Sequence, residues 1–145
     1  MPNHFHFLIY TIPDSILKKK VGSLEICTLN DGFRSLLSSY AQAINKQENR
    51  SGSLFRQKTK AKLLENGDSH YPFTCFHYIH QNPVNAGLVK KMEDWEYSSF
   101  NEYMGMRSES LCDQKLAYEL LGITGERFYE ESYQVISKES ISKLF

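Results

Sequence analysis

The sequence predicts an α+β protein in which helices pack on an antiparallel sheet. Apolar residues alternate with other residues at every second position in 5–9, and cations alternate in the same way in 53–65, which is the period of a strand. Apolar residues recur at helical spacing in 33–44 and 71–82. A chain of 145 residues has the length of one domain with a sizeable core.

The composition is that of a globular protein in a reducing compartment. No apolar run approaches the roughly 18 residues of a membrane span, and no basic region precedes the apolar start as a signal peptide requires. The three cysteines, Cys27, Cys75 and Cys112, are odd in number and far apart, which fits neither a disulfide framework nor a zinc pattern. We therefore expect a cytoplasmic protein that makes no use of a membrane.

The formal net charge of zero hides a basic centre and an acidic tail. The stretch from 49 to 64 contains no acid and five basic residues: Arg50, Arg56, Lys58, Lys60 and Lys62. In a strand the last four would share one face at about 6–7 Å spacing, close to the repeat of a single-stranded phosphate backbone, where each contact releases a counterion. A solvated strand face and a sheet edge protected by lysines are equally compatible with this pattern.

The opening stretch offers a candidate metal site. His4 and His6 lie on one face of the predicted first strand, which ends near Thr11, and two neighbouring imidazoles can converge on one divalent cation. The alternative is that both histidines are hydrogen-bonded core or rim residues. The spacing alone is frequent by chance, so a second element is needed to decide.

Beyond the first strand, the pattern predicts a turn at 13–15, a short helical or irregular segment at 16–29, and then a clear helix. The helix follows Asn30-Asp31-Gly32, and Asn30 or Asp31 is expected to cap its first turn. Its apolar stripe consists of Phe33, Leu36, Leu37, Tyr40 and Ile44.

A second helix is predicted from Tyr71 to Asn82, where Pro83 ends or kinks it. Tyr78 and Asn82 are four residues apart and therefore lie on the same side of this helix. The aromatic stretch 95–103 is expected to pack as a lid, and the tail is expected to hold two helices, at 111–121 and 125–135.

Several ordered blocks resemble one family. Met1-Pro2-Asn3-His4-Phe5-His6-Phe7-Leu8-Ile9 resembles the metal-binding strand of HUH single-tyrosine transposases, particularly those associated with repetitive extragenic palindromes. The other blocks are Ile44-Asn45-Lys46, Gly52-Ser53-Leu54-Phe55-Arg56-Gln57, Tyr78-Ile79-His80-Gln81-Asn82-Pro83-Val84-Asn85-Ala86-Gly87-Leu88-Val89 and Trp95-Glu96-Tyr97-Ser98-Ser99-Phe100. They follow the family's order at about its spacing, so we expect a transposase-like domain at 1–105 and a helical extension at 106–145.

The resemblance implies a ferredoxin-like α/β sandwich with a defined site. It implies that His4 and His6 hold Mg²⁺ or Mn²⁺, with Asn82 as third ligand, although Gln81, His80 or water could serve instead. It implies that Tyr78 is the nucleophile. His77 and His80, three apart on the same helix, are expected to be packed and hydrogen-bonded rather than to act as acid or base.

The activity implied by the resemblance is cleavage and strand transfer of a single-stranded DNA hairpin through a 5′-phosphotyrosine, as in DNA transposition. Arg56, Lys58 and Lys60 would hold the backbone, together with Arg50 and Lys62 of the same basic stretch, and exposed aromatic residues would stack on bases. The alternatives are a truncated nucleic-acid-binding module that has lost catalysis, and an inert fragment that folds poorly.

One departure from the family concerns the start of the chain. The family has several dozen residues before the metal strand, including a strand that pairs beside it, and this sequence begins at the motif. We therefore expect the domain to lack its N-terminal strand region. A strand without its neighbour is an open edge that can pair with another molecule, which makes a homodimer a further expectation.

Overall fold

The described part of the chain contains two strands and five α-helices, which confirms the α+β prediction at this level. The computed structural model describes residues 4–55, 60–64, 70–108, 110–134, 136 and 141. The elements are β1 (Lys18–Val21), β2 (Leu24–Cys27), α1 (Thr28–Gln47), α2 (His70–Asn85), α3 (Phe100–Tyr103), α4 (Gln114–Leu121) and α5 (Gly125–Ser132), with 3₁₀ turns at Pro13–Ile16 and Met92–Asp94. Among these described helices, none is long and apolar enough to cross a membrane.

The chain divides into two compact units. Unit 1 comprises residues 1–8 and 63–145, and unit 2 comprises residues 9–62. Unit 1 therefore contains α2 to α5, and unit 2 contains the two strands and α1.

Unit 2 begins with a β-hairpin where the sequence had suggested a short helical or irregular segment. The strands β1 and β2 pair antiparallel, with Val21 opposite Leu24. The two residues between them form the turn, and Gly22 has a φ of 62°, whereas Ser23 does not have a positive φ. This is the pattern of a type II′ turn, whose twist matches that of paired strands. The Gly-Ser pair was the overlooked signal.

Helix α1 confirms the predicted helix but starts earlier than expected. Its N-cap is Cys27, whose sulfur accepts a hydrogen bond from the Asn30 backbone N–H, at 3.5 Å. The prediction that Asn30 or Asp31 caps the helix is therefore wrong. Asp31 lies in the first turn and binds Lys19 of β1, at 2.5 Å, and Arg34, at 2.6 Å. These two cations lower the pKa of the Asp31 carboxyl.

The opening residues were expected to form a first strand that ends near Thr11, but the described residues 4–12 are not part of a sheet. A strand requires hydrogen bonds to a neighbour, and none of the described strands pairs with it. The side chains still alternate. The rings of His4 and His6 lie 5.1 Å apart and those of Phe5 and Phe7 lie 5.0 Å apart, as expected for residues i and i+2 of an extended chain.

The basic strand predicted at 53–65 is not found in the described residues either. Residues 53–55 and 60–64 have no strand partner. Arg56 and Lys58 lie outside the described residues, so their placement on one face is untested. The exposed side chains of Lys60 and Lys62 belong to a segment without regular structure, because neither β1 nor β2 offers it a neighbour.

The sequence predicted that Pro83 ends or kinks α2. The helix continues past Pro83 to Asn85, so the first of these two alternatives is wrong. Pro83 supplies no N–H, but its carbonyl accepts a hydrogen bond from the Leu88 N–H, at 2.9 Å, and the Val84 carbonyl accepts one from Gly87, at 2.9 Å. These two bonds form a Schellman motif, which requires the left-handed conformation that Gly87 adopts, with a φ of 69°. The helix ends by this motif rather than by the proline.

The core of unit 1 is mostly aromatic and is built around α2. The buried hydrophobic residues are Phe76, Met92, Phe100, Tyr103, Ile123 and Phe128. Phe76 makes edge-on contacts with Tyr103 and Phe128, at ring-centroid distances of 4.9 and 5.9 Å, the preferred geometry of aromatic pairs. The two tail helices were correctly predicted, and α5 contributes Phe128 to this core.

A buried carboxylate joins α3 to the segment before α4. Glu102, which is 7% exposed, accepts hydrogen bonds from the backbone N–H groups of Leu111 and Cys112, at 3.0 and 3.1 Å. The side chain of Gln114 donates to the Glu102 carbonyl, at 3.2 Å. The Glu102 carboxylate thus accepts hydrogen bonds from backbone N–H groups just before α4, in a segment that belongs to no helix or sheet.

We predict that Glu102→Ala lowers the free energy of unfolding of unit 1 by about 2–3 kcal/mol, because it removes charge-assisted hydrogen bonds and leaves backbone donors unsatisfied. Urea denaturation measures the change. Glu119→Ala, which removes an exposed carboxylate from α4, is the matched control and should change stability by less than about 0.5 kcal/mol. Equal effects of the two substitutions would contradict the prediction.

Candidate functional site

The site is organised by the faces of α2. Phe76, His77 and His80 are buried. Tyr78 and Asn82, one turn apart, share another side of the helix. Residues 4–6 lie against that side, so unit 1 brings together side chains that are 76 positions apart in the sequence.

His6 and Asn82 are in direct contact. The Asn82 amide donates a hydrogen bond to His6 Nε2, at 3.2 Å, and Asn82 is 6% exposed. With this orientation of the amide, His6 Nε2 is the ring nitrogen that carries no proton. Burial, and then the neighbouring charge of His4, lower the pKa of His6, which favours this neutral form. A 180° rotation of the amide would present Oδ1 to the same space.

His4 and Tyr78 complete the cluster on either side of His6. The His4 ring meets His6 edge-on at 5.1 Å, and the Tyr78 ring meets it edge-on at 6.3 Å. Burial raises the pKa of Tyr78, so its phenol is protonated at neutral pH. The four residues that sequence reasoning assigned to the metal and to the nucleophile are therefore neighbours in unit 1.

The donor set fits a divalent cation. It offers two imidazole nitrogens and one amide oxygen, a mixed set that suits Mn²⁺ better than Mg²⁺, which prefers oxygen ligands. For Asn82 Oδ1 to reach such a cation the amide would have to rotate, because Nδ2 is the atom that faces His6 Nε2, at 3.2 Å. No group of three or more His, Cys, Asp or Glu side chains lies together among the described residues.

Gln81 and His80, the alternative third ligands, have hydrogen-bond partners away from His6. Gln81 Nε2 donates to the carbonyls of Ser132 and Gln134, at 2.8 and 2.7 Å. These carbonyls stand at the end of α5, where helix geometry leaves acceptors without intrahelical partners. His80 Nε2 is hydrogen-bonded to Ser99 Oγ, at 2.9 Å. Of the candidates on α2, Asn82 is the one that contacts His6.

His77 and His80 are packed and hydrogen-bonded, as the sequence predicted. His77 Nδ1 is hydrogen-bonded to Ser132 Oγ, at 2.9 Å, and its ring lies 4.3 Å from that of Phe73. Burial lowers the pKa of His77 to about 4. Burial, and then the charge of His77, lower the pKa of His80 to about 3. Both imidazoles are therefore neutral at pH 7 and belong to the core rather than to proton transfer.

Sequence reasoning missed the supporting roles of Ser99 and Ser132. Each hydroxyl satisfies one nitrogen of a buried histidine on α2. Ser99 belongs to the aromatic block 95–100, which is thus attached to α2 in addition to covering it. A repeated pairing of serine with buried histidine has no sequence signature, because the partners are 55 and 19 positions apart.

The predicted nucleic-acid contacts lie in unit 2 or outside the described residues. Arg50, Lys60 and Lys62 are exposed in unit 2. Arg56 and Lys58 are among the residues that the structure does not describe. The metal and nucleophile residues all belong to unit 1, and the basic residues do not share that unit.

Comparison with protein families, with curated proteins and with solved structures gives no match. The chemistry of the site therefore rests on the contacts just described and on the resemblance of the sequence blocks.

We predict that the stability of unit 1 depends on the neutral form of His77. Its ordinary pKa of 6.5 applies in the unfolded chain and a pKa of about 4 applies in the folded one, so the unfolded chain binds more protons between these values. The free energy of unfolding should be fully maintained above pH 6.5 and fall as the pH drops towards 4. Urea denaturation at several pH values measures this slope.

His77→Phe should reduce the slope, because it removes the titrating group while keeping an aromatic ring. Ser132→Ala is the matched control: it removes the hydrogen bond to His77 Nδ1 and lowers stability at every pH, but it leaves the buried imidazole and therefore most of the slope. An unchanged slope in His77→Phe would contradict the assignment of the pH dependence to His77. The slope would then be assigned to His80, whose pKa is also lowered by burial.

Proposed function

We propose that this chain cleaves and rejoins single-stranded DNA through Tyr78, with a divalent cation held by His4, His6 and Asn82. The observation that carries the proposal is the meeting of His6 with Tyr78 and Asn82 on one side of α2. These contacts bring one of the two predicted histidine ligands next to the predicted nucleophile and the predicted third ligand, which supports the proposal.

Residues of α2 would supply the nucleophile. The Tyr78 Oη attacks the scissile phosphorus, forms a phosphotyrosine with the 5′ side, and loses its proton during the attack. The bond from phosphorus to the 3′ oxygen breaks, and this oxygen leaves as a hydroxyl. The phosphotyrosine stores the energy of the broken bond, so a second 3′ hydroxyl can reverse the step and join a new strand.

A bound Mn²⁺ or Mg²⁺ supplies Lewis-acid stabilisation of the negative charge that develops on the phosphate. The chain's own contribution is orientation. Gln81 fixes α2 to the end of α5 and so keeps Asn82 beside His6. Burial raises the pKa of the half-buried Tyr78 phenol, and a cation bound nearby would favour loss of its proton.

We also propose a fold for the whole domain and a cellular location for the protein. In the ferredoxin-like sandwich that the resemblance implies, residues 4–10 would be a strand of the sheet, and their alternating ring contacts are compatible with that role. The substrate would be a palindromic DNA hairpin, and DNA transposition would take place in the cytoplasm, where the three free cysteines stay reduced.

We predict that a labelled DNA hairpin incubated with the protein and Mn²⁺ gives a covalent protein–DNA adduct. Tyr78→Phe should abolish the adduct, because the substitution removes the attacking oxygen. Tyr129→Phe, on α5, is the matched control and should retain it. Denaturing electrophoresis measures the adduct, and its persistence in Tyr78→Phe would disprove the assignment of the nucleophile.

The metal ligands are tested in the same assay. His6→Ala and EDTA should each lower adduct formation by at least about 100-fold, and Asn82→Ala by about 10–100-fold. Gln81→Ala is the matched neighbour, because its amide binds the carbonyls of α5, and it should keep the response to Mn²⁺. Equal loss in both α2 variants would show that Asn82 acts on folding rather than on the metal.

A second candidate function is nucleic-acid binding without catalysis, and the distribution of charge favours it. Unit 2 carries ten Lys and Arg against four Asp and Glu, an excess of six positive charges, whereas the other residues carry seven against thirteen. The neutral chain thus separates into a basic unit and an acidic one. A basic unit of this size attracts a polyanion through its phosphates, whatever the base sequence.

We predict that the protein binds a DNA hairpin with an affinity that falls as salt rises, and that Lys60→Ala and Lys62→Ala each reduce the salt slope by about one. Fluorescence anisotropy measures both quantities. Lys115→Ala, on the exposed part of α4 in the acidic unit, is the control and should leave the slope unchanged. Binding that is indifferent to EDTA and His6→Ala, with no adduct, would identify the protein as a binding module.

A further inference from the structure

Helix α1 has an apolar face that is partly open to solvent. In the described part of the chain, none of the buried hydrophobic residues belongs to unit 2, and the buried residue of α1 is Asp31. Leu36 and Tyr40, one turn apart on the apolar stripe, are each 54% exposed. A helix in a protein gains most of its stability from the packing of its apolar face. An open apolar face of this kind is typical of a surface that binds a partner.

One end of this face is a groove between α1 and the 3₁₀ turn Pro13–Ile16. The groove has a volume of 330 Å³ and is lined by Ser15, Thr28, Leu29, Gly32, Phe33 and Leu36. Among these described residues no side chain is charged. Thr28 joins the two walls, because its backbone N–H and its hydroxyl both donate to the Leu17 carbonyl, at 2.9 Å. The groove is therefore formed before a partner binds, which lowers the entropic cost of binding.

Gly32 keeps the groove open. It lies in the second turn of α1 and does not have a positive φ, so its conformation does not require glycine. A Cβ at this position would meet no atom within 4 Å beyond its own helix backbone and its chain neighbours, so packing does not require glycine either. Glycine also weakens a helix relative to alanine. Gly32 thus costs helix stability, and its structural effect is a deeper groove.

The shape of the apolar surface favours a helix as the occupant. From Leu29 in the groove to Tyr40, the surface extends for about 16 Å along α1. Ile16 and Leu17, which follow Ser15 in the opposite wall, are 67% and 58% exposed and add apolar surface beside the groove. Amphipathic helices bind such elongated surfaces through apolar residues at i, i+3 or i+4, and i+7.

The charges around the groove favour an acidic partner. In α1 the cations Arg34 and Lys46 are exposed, whereas the acid Asp31 is buried and bound to Lys19 and Arg34. The 3₁₀ turn contributes Asp14, but three lysines follow in β1. The ten cations and four acids of unit 2 leave an excess of six positive charges. This excess attracts an acidic helix and repels a basic one.

We propose that the groove and the adjoining stripe of α1 bind an acidic amphipathic helix of a partner protein. An apolar side chain of the partner enters the groove over Gly32, and the apolar residues that follow it lie on Leu36 and Tyr40. Acidic residues on either side of this apolar stripe meet the positive charge of unit 2. The inference is independent of the proposed catalysis, because all the residues that carry it belong to unit 2.

A fluorescent peptide helix tests this site on the full chain. The probe has leucines at i, i+4, i+7 and i+11 and glutamates on its other face, and its matched partner has lysines in place of the glutamates. Fluorescence anisotropy should show saturable binding of the glutamate peptide, and the lysine peptide should bind at least about tenfold more weakly. Equal binding of the two peptides, or no saturable binding of the glutamate peptide, would overturn the proposal.

Gly32→Leu separates binding from folding. The new side chain fills the groove and replaces glycine by a good helix former. The helix content in circular dichroism should therefore not fall, while the affinity for the glutamate peptide falls at least about tenfold. Ser38→Leu is the matched control, because position 38 is exposed and lies about 200° round the helix from Leu36. It should keep the affinity. An unchanged affinity in Gly32→Leu would show that the groove is not the site.

Leu36→Glu is a second disruption. More than half of the Leu36 side chain is exposed, so the substitution should leave folding intact, but it places a carboxylate against the apolar face of an acidic peptide. The affinity for the glutamate peptide should fall at least about tenfold, and retained affinity would contradict the proposal.

A DNA hairpin distinguishes this groove from a nucleic-acid surface. Gly32→Leu changes no charge, so it should bind the hairpin as the parent does. Loss of hairpin binding in Gly32→Leu, without peptide binding by the parent, would assign the groove to nucleic acid and overturn the proposal. Tyr78→Phe should bind the glutamate peptide with the parent's affinity, so a failure of the proposed cleavage and a failure of this inference give different results.

Discussion

The packing of α2 against an aromatic core is the constraint on which the candidate site depends. Successive helix residues are rotated by about 100°, so burial of Phe76, His77 and His80 determines where every other side chain of the helix points. Tyr78 and Asn82 are left on the side that meets His6. A change that rotates α2 in its core would therefore separate Tyr78 and Asn82 from His6 without altering any of the three residues.

The two buried histidines make this packing specific. A phenylalanine would fill similar space, but an imidazole also needs a hydrogen-bond partner in the core. Ser132 and Ser99 provide one each, and they come from α5 and from the aromatic block before α3. The other ring nitrogens, His77 Nε2 and His80 Nδ1, are buried without a hydrogen-bond partner among the described residues. The two serines therefore fix one nitrogen of each ring, and this favours one rotation of α2 relative to both elements. The tail helices are thus part of the support of the site.

The two units differ in their charge. Unit 2 carries the excess of positive charge, while unit 1 carries the candidate metal and nucleophile residues together with most of the acidic ones. Binding of a polyanion depends on the number of cations that meet phosphates, whereas cleavage depends on a few atoms held at short distances. A chain with this division could lose cleavage by a change in unit 1 and still bind nucleic acid through unit 2.

Local chemistry alone predicted a good part of this protein. The apolar spacing at 33–44 and 71–82 identified α1 and α2, and the two helices of the tail were predicted on either side of 122–125. The four-residue interval between Tyr78 and Asn82 placed these two residues on one side of a helix. The hairpin was not predicted, although Gly22-Ser23 is typical of a two-residue hairpin turn. The three consecutive lysines of β1 were interpreted as solvent-exposed residues and not as a strand. Pro83 does not end α2, because a proline near the end of a helix removes only one backbone hydrogen bond.

Other features depend on contacts between distant parts of the chain. Whether residues 4–12 form a strand depends on a neighbour with free hydrogen-bonding groups, which alternation within the segment cannot supply. The choice of Asn82 over Gln81 and His80 as the partner of His6 was settled by the rotation of α2, which the aromatic core and the two serines determine together. Sequence periodicity describes one element at a time, whereas a site made by residues 76 positions apart exists only when tertiary packing brings their elements into contact.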